Sequence, residues 1–277
     1  MTRDTAEAPG TEAALRDRVR RIGRLLVAYS GGVDSALLAA VAAEELGSAA
    51  VAVTAVSASL PRTERAAAAA FARERDIAHV EVCTDELERP AYAANDGDRC
   101  FHCKSALLDV LTPLAALSGA RIALGTTLDD LGDHRPGQRA AASRGAITPL
   151  VDAGLGKAEV RRISADLGLV TAAKPAAACL SSRVAYGDPV TAEVLGRIER
   201  AEEAVRALGF GVCRVRSHGG GSVARIEVPA DQVPRAAARR TELDAAVRAA
   251  GFAFCALDLH GFASGRMNVL LGLPAVR

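Results

Sequence analysis

A chain of 277 residues, half of them hydrophobic and 24% charged, can bury a core as one large or two small domains, which excludes a disordered protein. Its net charge of +1 provides no excess of cations for gripping a nucleic-acid backbone, so no nucleic-acid partner is expected. Apolar runs are broken by Arg, Asp or Glu short of the ~20 residues of a membrane span, and "MTRDTAEAPGTEAA" has no basic-then-apolar leader, so a cytoplasmic protein without a membrane partner is expected.

In chain order, a short amphipathic segment carrying Leu15, Val19 and Ile22 precedes "RLLVAYS", which reads as a buried strand. "DSALLAAVAAEELG" then reads as a helix with Leu37, Leu38, Val41 and Leu46 inward, stopping at Gly47. "AAVAVTAVS" is a second strand, "PRTERAAAAAFARERD" a helix with Pro61 in its first turn, and "AHVEVCT" a third strand. Residues 99–118 form a helix and "ARIALGT" a fourth strand. Strand and helix alternate, which predicts an α/β fold: a doubly wound parallel sheet with ligands outside the carboxyl ends of its strands. From about residue 190 the order changes to a helix over 191–208, paired strands around the turn "HGGG", a helix over 231–249 and a strand "FAFCALDL". With Gly187 and Pro189 as the junction, the expected domains are 12–187 and a smaller C-terminal α+β domain, 188–277.

"VAYSGGVDSALL" lies at the first strand-to-helix turn, where Gly31 and Gly32 admit an anion to backbone amides and the helix N-terminus adds partial positive charge. Ser30 and Ser35 offer hydroxyls. Asp34, a carboxylate facing phosphates, makes sense with Mg²⁺ between them, which a nucleoside triphosphate supplies. The lysine of a Walker A loop is missing. The stretch resembles the signature of the PP-loop ATP pyrophosphatases, with their adenine nucleotide alpha hydrolase-like fold. That resemblance implies a loop gripping the β and γ phosphates while AMP is transferred to a substrate.

Six cysteines without a secretory leader argue for reduced thiols. Cys83, Cys213 and Cys255 lie in apolar alternation and read as buried strand residues. Cys100 and Cys103 in "DRCFHCK" share one face of a helix N-terminus, with Asp98 as its expected cap and His102 turned to solvent. A disulfide, a zinc pair, a redox couple and half of an iron-sulfur site can all be written this way, although no second CxxC or spaced His pair completes a zinc set. Cys179, in "KPAAACLSSRVAYG", has Lys174, Ser181, Ser182 and Arg183 nearby, a setting for a nucleophile or ligand; the plain alternative is a small buried residue.

Those stretches, with "GTTLDDLGDHRPGQRAA", "RVRSHGGGSVARIEV" and "LDLHGFASGRMN", occur in the order seen in the LarE family, ATP-dependent sulfur insertases of nickel-pincer nucleotide cofactor synthesis, which the chain resembles over almost its whole length. The resemblance implies pyridinium-3,5-biscarboxylic acid mononucleotide as substrate, adenylated on a carboxylate and converted to a thiocarboxylate. It aligns Cys179 with the cysteine that attacks the acyl adenylate. In one branch that residue gives up its own sulfur; in another it joins a CxxC pair on a [4Fe-4S] cluster. Here the ligands would be Cys100, Cys103 and Cys179. A sulfide or sulfur-carrier donor and a homo-oligomer are inherited expectations. Thr126, Asp129 and Asp130, in the loop similar to the family's adenylate-side loop, are candidates for ATP contacts, with Asp133 and Arg135 beside them.

Arg214 and Arg216 alternate on one strand and, with Arg183, Arg225, Arg135 and His218, are candidates to clamp a substrate phosphate and carboxylates. Solvated surface charge is the plain alternative, and Glu202 and Glu203 have no assigned role. A tRNA thiolase, an amide-forming synthetase and a non-catalytic ATP-binding regulator on the same loop are the competing functions.

Overall fold

The structure, a computed structural model, describes residues 10–132, 136–175, 178–263 and 267. The elements are α1 (Glu12–Ile22), β1 (Leu25–Ala28), α2 (Val33–Leu46), β2 (Ala50–Val56), α3 (Arg62–Glu74), β3 (His79–Cys83), α4 (Pro90–Ala93), α5 (Arg99–Ser118) and β4 (Arg121–Leu124). They continue with α6 (Pro136–Ala142), α7 (Pro149–Asp152), α8 (Lys157–Asp166), α9 (Ala192–Ala207), β5 (Arg214–His218), β6 (Val223–Glu227), α10 (Val233–Ala238), α11 (Arg240–Ala249) and β7 (Phe254–Leu257). They form two compact units, Met1–Asp85 with Cys100–Ala177, and Glu86–Arg99 with Ala178–Arg277. This division differs from a single cut at 187/188: the chain enters the second unit once at 86–99 before returning to it at 178.

The first unit is a four-stranded sheet in the order β3-β2-β1-β4, parallel throughout. All four residues of β1 are buried, which is why "LLVA" reads as an unbroken apolar run rather than an alternation. α1 starts at Thr11, whose hydroxyl accepts a hydrogen bond from the Ala14 amide at 3.2 Å, and it sends Leu15 and Val19 into the core one turn apart. On α2 every residue from Ser35 to Ala42 is buried; the alanines let neighbours close in, while Leu37, Leu38 and Val41 each contribute about 1.5–3 kcal/mol of apolar burial. α5 has the length and apolar composition to cross a membrane, but it packs Leu107, Leu108, Leu111 and Ala115 with Leu26, Ala28, Ile122 and Leu124, as a core helix does. Cys83, expected inside, is exposed because β3 is an edge strand.

In the second unit β5 and β6 form an antiparallel hairpin, and β7 joins parallel to β6, giving the order β5-β6-β7. The hairpin turn needs glycine: Gly219, Gly220 and Gly221 have φ of 62°, 62° and 93°. The helix expected over 231–249 is two helices, parted at Arg239, which leaves helical geometry with φ −98° and ψ 23°. Cys213 is buried and Cys255 half-buried. Segment 86–99 is tied in by hydrogen bonds: Tyr92 Oη to Ser181 Oγ at 2.6 Å, Asn95 Nδ2 to the carbonyls of Ala185 (2.8 Å) and Asp188 (3.0 Å), and Arg99 to the Ser181 carbonyl at 2.9 Å.

Candidate functional site

Because β1 lies between β2 and β4, the chain winds away from β1 in both directions, and the carboxyl ends of β1 and β4 form the switch point at which sheets of this kind bind ligands. The loop Ser30–Gly32 enters α2 from that end of β1. Gly31 has φ 71°, and a Cβ there would stand 3.0 Å from the Cβ of Ala68 on α3. Ser35 braces the loop: its hydroxyl accepts from the Ser30 amide at 3.2 Å, lies 3.1 Å from Ser30 Oγ and donates to the Gly32 carbonyl at 3.2 Å. The amides of Gly31, Gly32 and Val33 meet no protein acceptor among the described residues, as expected of a helix start that offers its N–H groups to an anion. Asp34 lies in the first turn of α2, adjacent in sequence to Ser35, and a carboxylate with two serine hydroxyls has the oxygen-donor chemistry that suits Mg²⁺.

From the other side, Gly125 presses the end of β4 onto this turn: its missing Cβ would fall 2.8 Å from the Ser35 nitrogen and 2.9 Å from the Ser35 Cα. Thr126, half-buried, follows it. Asp129 and Asp130 turn out to be engaged within the protein. Asp130 Oδ2 accepts from the amide and hydroxyl of Thr127, each at 3.0 Å, and Asp129 Oδ2 accepts from the Lys157 amide at 2.6 Å, so both tie the loop together and to the start of α8. Asp133 and Arg135 lie outside the described residues, as do Ser264, Gly265, Arg266 and Asn268 of the C-terminal motif.

Lys174, read from sequence only as a cation near Cys179, proves to belong to the phosphate loop. Its ammonium donates to the Gly31 carbonyl at 2.9 Å and to Glu64 at 2.6 Å. Nothing in the local sequence pattern signals that contact, since Gly31 and Lys174 lie 143 positions apart.

Cys100 is exposed and Cys103 half-buried, three residues apart at the start of α5. The intervening His102 stacks edge-on against Phe101, centroids 5.5 Å apart. In the second unit Cys179 is exposed and precedes a 3₁₀ turn, Leu180–Arg183. Its carbonyl accepts from the Ser182 hydroxyl at 2.7 Å and from Arg183 Nη1 at 2.8 Å, and the same nitrogen reaches the Ala178 carbonyl at 2.5 Å. Arg183 thus grips the backbone around Cys179.

Most of the arginines expected in the clamp are engaged within the protein. Arg183 is buried against Glu202, with Nε to Oε1 at 3.0 Å and Nη2 to Oε2 at 3.3 Å, and shows no open fork to a substrate. Arg216 is likewise buried against Glu227, at 3.0 and 2.8 Å, while Arg225 bridges Glu227 and Asp258 and contacts His218. Buried charge is tolerable only when paired, and the partners are Glu202, which the sequence left without a role, and Glu227, which it did not single out. Burial pushes the Glu202 carboxyl up, yet Arg183, Arg214 and Arg206 outweigh it and hold the group below its usual value of 4.5. Arg214 differs. It donates to the Cys213 carbonyl and lies over the Phe262 ring at 5.2 Å, and no carboxylate accepts from it among the described residues. Burial first, then Arg183, pushes its guanidinium down, the electrostatics of a site that favours an added anion.

Among the described residues neither unit by itself gathers three or more His, Cys, Asp or Glu side chains that could hold a metal ion. The three thiols of the implied cluster belong to both units: Cys100 and Cys103 to the first, Cys179 to the second. None of the three is in a disulfide and all are at least partly accessible, so their donor chemistry fits thiolate ligation of iron.

A family model described as asparagine synthase matches residues 10–94, the stretch that carries the phosphate loop. An uncharacterised protein of Synechocystis sp. is 48% identical over 220 residues, covering 79% of this chain and 81% of the relative. The pyridinium-3,5-bisthiocarboxylic acid mononucleotide synthase of Lactiplantibacillus plantarum is 33% identical over 258 residues, covering 92% of this chain and 91% of that protein. An uncharacterised protein of Methanocaldococcus jannaschii is 27% identical over 205 residues, 74% of this chain and 78% of its own. Similarity to the synthase runs through both units, from the glycine loop to the arginine-bearing strands, and with it the chain belongs to the LarE family of PP-loop proteins.

Proposed function

We propose that this chain is an AMP-forming sulfur insertase acting on pyridinium-3,5-biscarboxylic acid mononucleotide. The observation that carries the reading is the row of amides from Gly31 to Val33 at the start of α2, without a protein acceptor among the described residues and closed over by Gly125. Relatedness to the Lactiplantibacillus plantarum synthase supports the choice of substrate.

The loop amides bind the β and γ phosphates of ATP, with Ser30 and Ser35 holding the loop in shape. Asp34 would hold Mg²⁺, which supplies charge neutralisation for the departing pyrophosphate. A substrate carboxylate oxygen attacks the α-phosphorus, the bond to the bridging oxygen breaks, and pyrophosphate leaves. A sulfur nucleophile then forms the C–S bond as AMP departs, leaving a thiocarboxylate. Arg214 faces an anionic group of the mononucleotide, and Arg183 holds the backbone that carries Cys179. Cys100, Cys103 and Cys179 would hold a [4Fe-4S] cluster, which when bound supplies sulfide on an iron without a protein ligand.

The test is anaerobic incubation of the reconstituted protein with Mg-ATP, the dicarboxylate and sulfide, with intact mass recorded after turnover. AMP, pyrophosphate and thiocarboxylate are expected in equal amounts, with no loss of protein mass. Absence of pyrophosphate sinks the adenylating reading. Loss of one H₂S from the chain moves the sulfur source to Cys179 itself.

A further inference from the structure

Lys174 is one of only three lysines, with Lys104 and Lys157, among 34 Lys and Arg residues. In a chain so biased towards arginine, a lysine marks a place where a compact ammonium is used rather than a planar fork. Here the ammonium meets two acceptors on different elements, the Gly31 carbonyl at 2.9 Å and Glu64 at 2.6 Å in the first turn of α3. The backbone bearing Lys174 is itself fastened, because Arg161 on α8 donates to the carbonyls of Ala172 at 2.6 Å and Lys174 at 3.0 Å.

We propose that Lys174 is a positioning residue for the phosphate loop: by holding the Gly31 carbonyl it sets the peptide between Gly31 and Gly32 so that the Gly32 N–H faces the triphosphate. The peptide unit is planar and trans, so its C=O and N–H point in opposite directions. Fixing the oxygen on one side fixes the donor on the other. Gly31, at φ 71° and without a Cβ, has no side chain to restrict rotation of that peptide, and its amide and that of Gly32 have no protein acceptor among the described residues to steady them. Glu64 holds the ammonium in place and cancels its charge, so the effect of Lys174 on nucleotide is one of geometry rather than of field.

The inference rests on the ATP-binding reading and is tested on the full chain by calorimetric titration with Mg-ATP and, separately, with AMP, alongside thermal unfolding. Lys174→Met is expected to weaken Mg-ATP about tenfold while AMP, which lacks the gripped phosphates, changes less than about twofold. Lys174→Arg, whose longer donor still reaches a carbonyl, is expected to recover part of that loss. Glu64→Gln keeps the bond to Gly31 and is expected to stay within about threefold of the parent for Mg-ATP. Equal weakening of ATP and AMP in Lys174→Met, or parental Mg-ATP affinity, overturns the proposal. If Lys174→Met does not fold, parental affinity in Lys174→Arg together with a tenfold tightening in Glu64→Gln overturns it, since that pair of results is the mark of a direct charge effect. A parent that fails to bind Mg-ATP instead defeats the ATP reading, a separate outcome.

Discussion

Replacing Glu202 by Gln is expected to destabilise the second unit severely. Glu202 is 1% exposed and accepts from Arg183 at 3.0 and 3.3 Å, from Arg206 at 2.6 Å and from the Val215 amide at 3.2 Å. The amide has nearly the shape of the carboxylate but leaves the Arg183 guanidinium, 2% exposed, without its countercharge. Removing one partner of a buried pair costs about 3–5 kcal/mol. The protein has no Trp, so its fluorescence is a weak probe, but Cys213 is a built-in reporter. It is fully buried with Sγ 3.7 Å from the Glu202 carbonyl oxygen, and burial, then Glu202, pushes its thiol up to about 11. Pulsed alkylation read by mass spectrometry therefore measures opening of this unit, and 3–5 kcal/mol corresponds to labelling faster by roughly two to three and a half orders of magnitude when reclosing outpaces alkylation. An increase under about tenfold refutes the claim that the pair is stranded by the substitution. pH gives a second arm. The folded carboxyl lies below its usual 4.5, so its stabilisation is complete above that value and fades as pH falls through the lower folded-state value. Glu202→Gln removes that part of the acid sensitivity. Arg183→Met combined with Glu202→Leu, which deletes both charges, is expected to recover most of the loss.

Gly125→Ala puts a methyl group 2.8 Å from the Ser35 nitrogen and 3.0 Å from the Asp34 carbonyl carbon. The backbone must shift, so a loss of about 1–3 kcal/mol in thermal unfolding is expected together with weaker Mg-ATP binding in titration. Unchanged nucleotide affinity in this variant places the phosphates elsewhere. In the native metal-free protein, quantitative alkylation at pH 8 is expected to modify Cys83, Cys100 and Cys179, which are exposed, and to spare Cys213. Protection of Cys179 contradicts its assignment as the accessible nucleophile.

The sequence makes the first unit readable for a physical reason: a parallel sheet covered on both faces forces unbroken apolar strands, and "LLVA" and "AVAVTAV" carry that mark. The phosphate loop is readable because the positive φ of Gly31 favours glycine and a Cβ there would crowd Ala68. Burial of "HVEVC" is not readable, because nothing local tells an edge strand from a central one. Nor do the roles of the arginines follow from their spacing. Arg214 and Arg216 share a face of β5, yet Glu227, which the register sets opposite Arg214, pairs on the diagonal with Arg216 while Arg214 finds Phe262, a choice that spacing along one strand does not reveal. Lys174 escaped for the same reason: its acceptor is a main-chain oxygen, which no residue type advertises.

The excursion of 86–99 into the second unit has a practical side. Asn95 holds the carbonyls of Ala185 and Asp188, which fall on either side of a cut near codon 187, so a fragment made there divides the partners of the hook and keeps segment 86–99 without most of the unit it belongs to. Recombination that shuffles contiguous modules cannot exchange either half of this molecule intact. Dissection succeeds only with a graft that carries the short insert along with the C-terminal half.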